Sequence, residues 1–375
     1  MKKTAAVGLK ELRQISRDPL SLVMLLGLPA FMLVLYGFAL NFDVRHVALA
    51  VEDRDKSAAS RDLISAFVNS TYFDRVAALD PGADLQRLTA RRVAKAVLVV
   101  PRGYGETLAQ GRDARVQLIL DGADANTATT VLGYAGALVA EANAASVRRT
   151  HLALGARGMP PGIAYEPRVW YNPELSSTRF LVPGLIGALL MLTAVLSTAL
   201  SVVREKERGT MEQIRVAPIR TVELILGKTL PYLGISLAAT AIIIGAARVL
   251  FGVEVKGPYL DLFLATLLYL TGALGLGLLI STVADSQAMA FQVGMLVSLL
   301  PAVLLSGFIF QIRSMPTVLQ WITHLVPTRY YLVILRGIII KGSGLGPYWD
   351  QMGYLAAFVL LTLGLASVRL ARQEA

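Results

Sequence analysis

The sequence contains no cysteine and is poor in charged residues. Asp, Glu, Lys and Arg make up 17% of its 375 residues, whereas soluble globular proteins carry about 25%. The lack of cysteine excludes disulfide bonds, thiolate metal ligands and cysteine nucleophiles, and it leaves the redox compartment open. Hydrophobic residues make up 55% of the chain. This composition predicts an α-helical polytopic membrane protein.

Histidine is also scarce, and its placement argues against a metal site. His46, His151 and His324 are far apart and lack the spacing of metal ligands. The acidic pair Glu52-Asp53 has no nucleophile or histidine beside it, so turn and cap chemistry explains it better. We therefore predict no catalytic residues, no metal and no resident cofactor.

A phosphate loop is absent as well. Gly227-Lys228-Thr229 matches the end of such a loop, but the glycine required five residues before Gly227 is replaced by Val222. We interpret Lys228 as a lysine at the cytoplasmic end of a membrane span. Any ATP hydrolysis is therefore expected on a partner chain.

The net charge of +10 comes from basic residues next to apolar runs. Membrane lipids and membrane orientation explain this placement, and no pattern typical of nucleic-acid recognition accompanies it. We expect lipids as partners and no nucleic acid.

Six uncharged stretches are long enough to cross a bilayer, which takes about 20 helical residues. They lie at about 20–40, 180–203, 229–247, 262–284, 286–312 and 351–368. Residues 1–19 precede the first span (20–41) as a cytoplasmic amphipathic segment. An interfacial helix on the inner leaflet and a solvated leader both fit that segment.

Residues 42–178 differ in kind from the spans, because they are charged and polar. Short β-like runs at His46–Val51, Ala96–Val100 and Val116–Leu120 alternate with helix-like runs at Ser57–Val68 and Asn126–Arg149. This length suffices for an autonomous α/β domain. We predict one here, inserted between the first two spans.

Residues 179–375 form the transmembrane domain with the second to sixth spans. The distribution of charge and the even number of spans predict its orientation. Basic residues in the leader, in the loop after the second span and in the tail place both termini in the cytoplasm. The α/β domain and residues 313–350 then lie outside. Within 313–350, Tyr330–Ile340 is apolar but too short to span, which predicts a re-entrant hairpin between the fifth and sixth helices.

The loop after the second span (204–228) carries both signs of charge, with Glu205 and Glu207 among Arg204, Lys206 and Arg208. Flanking charges that only orient a helix need no carboxylates. The mixed pattern therefore favours a helix that docks on a partner protein.

The predicted spans contain no charged residue, unlike those of most proton- or ion-driven transporters. A transport path would then be lined by apolar and small polar groups and would suit hydrophobic or amphipathic compounds, drug-like or lipid-like. We place it on the second and fifth spans. The candidate path residues are Leu189, Thr193, Ser197, Gln292, Val297 and Ser298; helix packing is the alternative for each.

Three passages resemble ABC-2 type permeases, the membrane subunits of ATP-binding-cassette exporters. They are RVWYNPELSSTRFLVPG (168–184), VVREKERGTMEQIRVAPIRTVELILGKTLPY (202–232) and SGFIFQIRSMPTVLQWITHLVPTRYYLVILRGI (306–338). The chain most resembles a subgroup of this family that exports multidrug or hydrophobic compounds. Members of this subgroup have a large extracytoplasmic domain after the first span. The resemblance covers nearly the whole chain.

The resemblance implies a bacterial inner-membrane protein that pairs with a second permease copy, identical or related. It implies a separate cytoplasmic ATPase that holds ATP and Mg²⁺, a coupling helix at about 204–220 and re-entrant helices at about 313–341. A periplasmic adaptor stays open. The coupling residues it implies are Glu205, Glu207, Arg208, Gly209, Thr210 and Glu212. A non-transporting scaffold or receptor is the alternative function.

Overall fold

The computed structural model describes residues 2–39, 46–80, 93–121, 125–153, 171, 176–210 and 220–374. Contacts divide the chain into two units, residues 42–168 and residues 1–41 together with 169–375. The second boundary predicted from the sequence is residue 178.

The strands are β1 (Val47–Asp53), β2 (Phe73–Ala78), β3 (Ala96–Val100) and β4 (Gln117–Leu120). The helices are α1 (Lys2–Ser16), α2 (Pro19–Leu22), α3 (Leu28–Ala39), α4 (Ala58–Val68), α5 (Tyr104–Ala109), α6 (Ala125–Ala153), α7 (Ser177–Glu207), α8 (Thr221–Phe251), α9 (Tyr259–Val283), α10 (Gln287–Leu304), α11 (Thr317–Ile322), α12 (Pro327–Arg336) and α13 (Trp349–Glu374). Two π-helical turns, Val23–Gly27 and Gly337–Lys341, follow α2 and α12.

Unit 42–168 is an α/β unit with the strand order β2-β1-β3-β4. Strand β1 is parallel to β2 and β3, and β4 runs antiparallel to β3. Strands β1 and β3 are apolar along nearly their whole length because both of their faces are buried. Helices α4 and α6 cover one face and share an apolar core with β1 and β3. Strand β2 was not predicted, since its exposed edge carries charged residues.

Asp55 links the loops that follow β1 and β3 at the carboxyl ends of these strands. Its carboxylate accepts hydrogen bonds from the backbone N–H groups of Gly103 (2.8 Å) and Gly105 (3.0 Å) at the start of α5. The hydrogen bond with Ser57 and these backbone donors lower the pKa of Asp55. The loop after β3 is thus held to the loop after β1.

The predicted first span is interrupted in the structure. The chain is helical from Pro19 to Ala39, but residues Val23–Gly27 form a π-helical turn in which Leu28 N–H bonds to Val23 O. Pro29 follows at the start of α3, and its missing N–H cannot complete the usual ladder there. The first span predicted for 20–41 is thus helical as far as Ala39 but contains a π-helical turn, its crossing of the membrane stays a prediction, and residues 40–41 lie outside the described part.

Five helices of the described residues are long and apolar enough to cross a membrane. They are Ser177–Glu207, Thr221–Phe251, Tyr259–Val283, Gln287–Leu304 and Gly346–Arg372. Helix α7 lies at the centre of this unit and packs against α3, α8, α9, α10 and α12. Most of its apolar stretch is therefore buried, whereas less than a third of the apolar stretch is buried in α8, α10 and α13.

Several predicted helix ends need correction. Residues 204–207 and 221–228, predicted as parts of a mostly helical loop, continue α7 and begin α8. Helix α7 ends where Gly209 adopts φ +68°, a conformation that favours glycine. Helix α10 was expected to continue to residue 312 but ends at Leu304, and Gly307 with φ +81° prevents its continuation.

Residues 312–348 form short helices rather than a span. Helix α12 is buried against α7, α9 and α13. Tyr331 of α12 stacks on Tyr269 of α9, with ring centroids 4.1 Å apart. Both hydroxyls have partners, because Tyr269 donates to Gly187 O (2.9 Å) and Tyr331 meets the Thr266 hydroxyl (2.9 Å). The membrane depth of this segment stays a prediction.

Candidate functional site

Charged side chains are buried where α1, α7 and α8 meet. Nζ of Lys228 lies 3.0 Å from Oε1 of Glu11 and 2.6 Å from Oε2 of Glu205. These three side chains are at most 5% exposed. Lys10, which is half exposed, pairs with the other oxygen of Glu205. Two lysines thus balance two carboxylates, as burial of charge requires. These four residues are called the ion cluster here.

Glu11 is held by neutral groups as well. Its Oε2 accepts hydrogen bonds from the hydroxyls of Ser201 in α7 (3.2 Å) and Tyr232 in α8 (3.4 Å). Both carboxylate oxygens of Glu11 therefore have partners, which offsets the cost of removing them from water. Glu11 of α1 thus contacts both neighbouring helices through polar atoms.

Close helix packing brings Glu11 to this position. A Cβ atom added to Gly227 of α8 would lie 2.7 Å from Cβ of Val7, so only glycine permits this approach of α1. Val7, Glu11 and Ile15 follow one another at intervals of four and share one face of α1. Ile15 is buried in the apolar core of the same unit.

The ion cluster bears on two interpretations made from the sequence. Helix α1 packs on α8, which argues against a solvated leader, and its position at the inner leaflet stays a prediction. Lys228 lies in the second turn of α8 with its ammonium inside the cluster, and its position at the cytoplasmic end of a span stays a prediction. Glu11 was missed, although a carboxylate on the apolar stripe of α1 was visible in the sequence.

The end of α7 is fixed by a second set of polar contacts. Oε1 of Glu207 accepts a hydrogen bond from the backbone N–H of Gln287 (2.7 Å), the first residue of α10, and its other oxygen accepts one from the Gln287 side chain. Lys206 donates to Ser281 O in α9. Arg204 lies 3.4 Å from the Asp18 carboxylate. A movement of this end would therefore reach α9 and α10 directly.

The predicted coupling residues occupy different environments. Glu205 is buried in the ion cluster and does not present its carboxylate at the surface. Glu207, Arg208 and Gly209 are exposed, and Thr210 is half-buried. Glu212 lies outside the described residues. Their contact with another protein stays a prediction.

An open cavity of about 700 Å³ lies between α7 and α10. Leu185, Ala188 and Leu189 of α7 form one wall, and the other is formed by residues of α10 including Phe291, Met295 and Leu300. Among the residues that line it, Tyr36 of α3 and Gln292 have polar side-chain atoms. The cavity, called the α7–α10 groove here, suits an apolar ligand with one or two polar atoms.

Two of the predicted path residues, Leu189 and Gln292, line the α7–α10 groove. The structure brings them together from helices about a hundred positions apart in sequence. Val297 is 39% exposed but is not part of this lining.

The three hydroxyl-bearing candidates make contacts within their own helices. Thr193, Ser197 and Ser298 donate to backbone oxygens of Leu189 (2.9 Å), Ala194 (2.8 Å) and Gly294 (2.6 Å), respectively. Such bonds are the usual way to satisfy a hydroxyl in an apolar helix bundle. These contacts fit the alternative of helix packing, and a path role for them stays a prediction.

Arg336 of α12 holds the chain at one end of the groove. Its guanidinium donates to Gly307 O (3.0 Å), Phe308 O (3.3 Å) and Phe180 O (3.3 Å). Its Cζ lies 3.8 Å from the centroid of the Phe180 ring. Phe308 lines the groove and sits directly against Gly184 of α7. Sequence reasoning placed Arg336 in the hairpin but did not predict this role.

Within the described ranges, no three His, Asp or Glu side chains group closely enough to hold a metal ion. The polar chemistry of this unit is thus ion pairing and hydrogen bonding between helices.

The profile of one protein family, described as ABC-2 family transporter protein, matches residues 19–368. The chain belongs to this family. The resemblance noted from the three passages is therefore confirmed.

Relatives of similar length carry transporter names. The probable multidrug ABC transporter permease YbhS of Escherichia coli strain K12 is 30% identical over 99% of this chain and 97% of its own length. The probable multidrug ABC transporter permease YbhR of the same strain is 27% identical over 97% of each chain. ABC transporter G family member 20 of Dictyostelium discoideum is 28% identical over 50% of this chain but only 26% of its own length.

Family membership and the five long apolar helices make this ABC-2 chain a multi-pass membrane permease subunit. Its bacterial relatives of similar length indicate the inner membrane.

Proposed function

We propose that this ABC-2 permease moves hydrophobic or amphipathic compounds out of the cytoplasm or the inner leaflet. The α7–α10 groove carries this proposal, because its lining is apolar except for Tyr36 and Gln292. Apolar burial yields about 25 cal/mol per Å² and depends little on the identity of the ligand. Such a groove favours broad selectivity. The multidrug names of two relatives agree with this choice of cargo.

A separate ATPase subunit supplies the energy and binds ATP and Mg²⁺. Its contact is the surface around Glu207, Arg208 and Gly209, which are exposed at the end of α7. Leu189 in the groove and Glu207 at this end are on one continuous helix, about 27 Å apart along its axis. A push on the exposed end would therefore be transmitted to the groove wall.

The working unit is a dimer of permeases. The groove is open, and α10 exposes large apolar side chains beside it, including Phe291, Met295 and Leu296. A second copy, identical or related, would cover this face and enclose a path. Two permeases would also match the two ATPases that close on each other during ATP hydrolysis. The proposal requires no periplasmic adaptor.

The topology proposed has six spans and cytoplasmic termini. The helical stretch from Pro19 to Ala39 is the first span despite its π-helical turn. The α/β unit and residues 313–350 then lie outside the cytoplasm. In this orientation the ion cluster and the exposed end of α7 face the ATPase.

The test is transport by the reconstituted permease with its ATPase. Leu189→Trp places a large ring in the groove, so ATP-dependent export of a bulky hydrophobic dye should fall about ten-fold while a small dye is exported normally. The control is Val249→Trp, at a residue of α8 that is 82% exposed and outside the groove.

Equal export of both dyes by Leu189→Trp would exclude this groove as the path. No export by the unaltered protein and no stimulation of ATPase activity would favour the scaffold or receptor instead.

A further inference from the structure

A second groove lies on the permease, away from the proposed path. It has a volume of about 410 Å³ and runs between α8 and α9. Leu237, Ile244, Leu262 and Phe263 are among its apolar lining residues. Gly245 belongs to the lining too, and a Cβ atom added to it would meet nothing within 4 Å. This cavity is called the α8–α9 groove here.

The polar atoms inside the α8–α9 groove are already engaged. The Thr240 hydroxyl donates to Ser236 O (2.8 Å), and the Thr266 hydroxyl donates to Leu262 O (2.7 Å) and meets Tyr331 Oη (2.9 Å). A ligand in the groove would find no free hydrogen-bond donor among these hydroxyls. The interior of the groove therefore suits hydrocarbon.

One end of the groove is basic and aromatic. Arg248 lines it and is 63% exposed, and its ionic contact with Glu254 is long, at 3.5 Å. Tyr259 lines the same end and is 64% exposed. A smaller pocket, which shares Val253 with the groove, is lined by Lys256 as well. Most of the five donors of Arg248 thus stay available to an anion.

The length of the groove matches one leaflet of a bilayer. Leu237 and Arg248 are separated by eleven residues of α8, about 16 Å along the helix. The hydrocarbon core of a bilayer is about 30 Å thick, so one leaflet takes about half of that. Arginine and tyrosine at the end of a span are typical of the headgroup level.

We propose that the α8–α9 groove binds one anionic phospholipid as a resident lipid of the permease. One acyl chain lies in the groove between α8 and α9, and the phosphate is bound by Arg248. The lipid is not the cargo, because the groove is separate from the α7–α10 groove. The proposal concerns binding alone and does not depend on transport.

Native mass spectrometry tests this binding. The full-length permease is released from nanodiscs containing equal amounts of phosphatidylglycerol and phosphatidylcholine, and the bound lipids are counted. The unaltered protein should retain one phosphatidylglycerol per chain. Gly245→Leu fills part of the groove. It should reduce that occupancy by about ten-fold, because fewer methylene groups of the acyl chain can then be buried there.

Two further variants separate the parts of the proposal. Arg248→Ala should lower the preference for phosphatidylglycerol over phosphatidylcholine by about five-fold, because both lipids carry a phosphate but only phosphatidylglycerol has the net negative charge that Arg248 attracts. Gly234→Leu is the matched control, because Gly234 is also in α8, also faces open space and does not line the groove. It should retain lipid normally.

Normal lipid retention by Gly245→Leu would overturn the proposal. An equal loss in Gly234→Leu would do the same, because the loss would then not come from the groove. If Gly245→Leu converted a dimer into a monomer without losing lipid, the occupant would be a second permease copy. Failure of transport would leave this measurement intact, so the two proposals fail separately.

Discussion

Replacing Lys228 by methionine tests the ion cluster most directly. Lys228 is the ammonium that lies between Glu11 and Glu205, at 3.0 and 2.6 Å. Methionine retains most of the apolar stem but removes the charge. The two buried carboxylates would then share Lys10, which pairs with Glu205 at the edge of the cluster. The variant therefore leaves Glu11 without a cationic partner at hydrogen-bond distance.

The expected cost follows from burial. Removing one partner of a buried ion pair costs about 3–5 kcal/mol, because the remaining charge is neither solvated nor paired. Both carboxylates are at most 5% exposed, so the full range applies. A second change, Glu11→Gln, removes the stranded charge. The two substitutions together should then cost less than their sum, by about 1–3 kcal/mol.

The assay is unfolding of the purified permease by titration with sodium dodecyl sulfate. The fluorescence of its three tryptophans reports the transition. Lys341→Met is the control, because Lys341 is exposed and its loss should change the free energy of unfolding by less than about 0.5 kcal/mol. Lys228→Arg keeps the charge and should be much less destabilised than Lys228→Met.

Two results would refute the reasoning. Lys228→Met could unfold at the same detergent fraction as Lys341→Met, which would mean that the cluster is solvated. Alternatively, the substitutions at Glu11 and Lys228 could be additive, which would mean that the two side chains do not interact. Either outcome would remove the proposed link between α1 and the end of α7.

Two other expectations concern the α/β unit and the topology. Because Asp55 has a lowered pKa, its stabilising effect is complete above the unfolded value of about 3.9 and is lost as pH falls through the folded value. Asp55→Asn should increase amide exchange near Gly103 at pH 7, and the difference should begin to shrink only below about pH 3.9; equal exchange at pH 7 would contradict this. Cysteines replacing Ala58 and Gly346 should react with a membrane-impermeant thiol reagent in cells with a permeabilised outer membrane, and one replacing Arg208 should not. Labelling of residue 208 but not of 346 would reject the six-span topology.

The sequence predicted the elements whose signal is local. Apolar runs indicated helices α7, α8, α9, α10 and α13, because a helix in hydrocarbon satisfies its own backbone and shows its length in composition. The runs at Ala96–Val100 and Val116–Leu120 indicated strands in the same way. Helix geometry was less accurately predicted: the first predicted span contains a π-helical turn before Pro29, and α10 ends several residues early, before Gly307. A local conformation changes there without any change in hydropathy.

The candidate site was only partly predictable. Leu189 and Gln292 were predicted as path residues because they lie on the second and fifth spans. Both line the α7–α10 groove. Ser298 was chosen on the same basis, but it is buried and bonded to its own helix. Hydropathy cannot distinguish the two faces of a helix that is apolar all round. The groove walls therefore emerged only from the packing of α7 against α10.

By itself the sequence determined the five long apolar helices, the α/β character of residues 42–168 and the family to which the chain belongs. Only the tertiary structure decided which charges are neutralised within the protein. Glu11 and Lys228 are 217 positions apart, and nothing local to either one indicates the other. A buried charge requires a partner, but the partner is chosen by helix packing, here by the close approach of α1 at Gly227. That approach places a carboxylate, an ammonium and the end of α7 together.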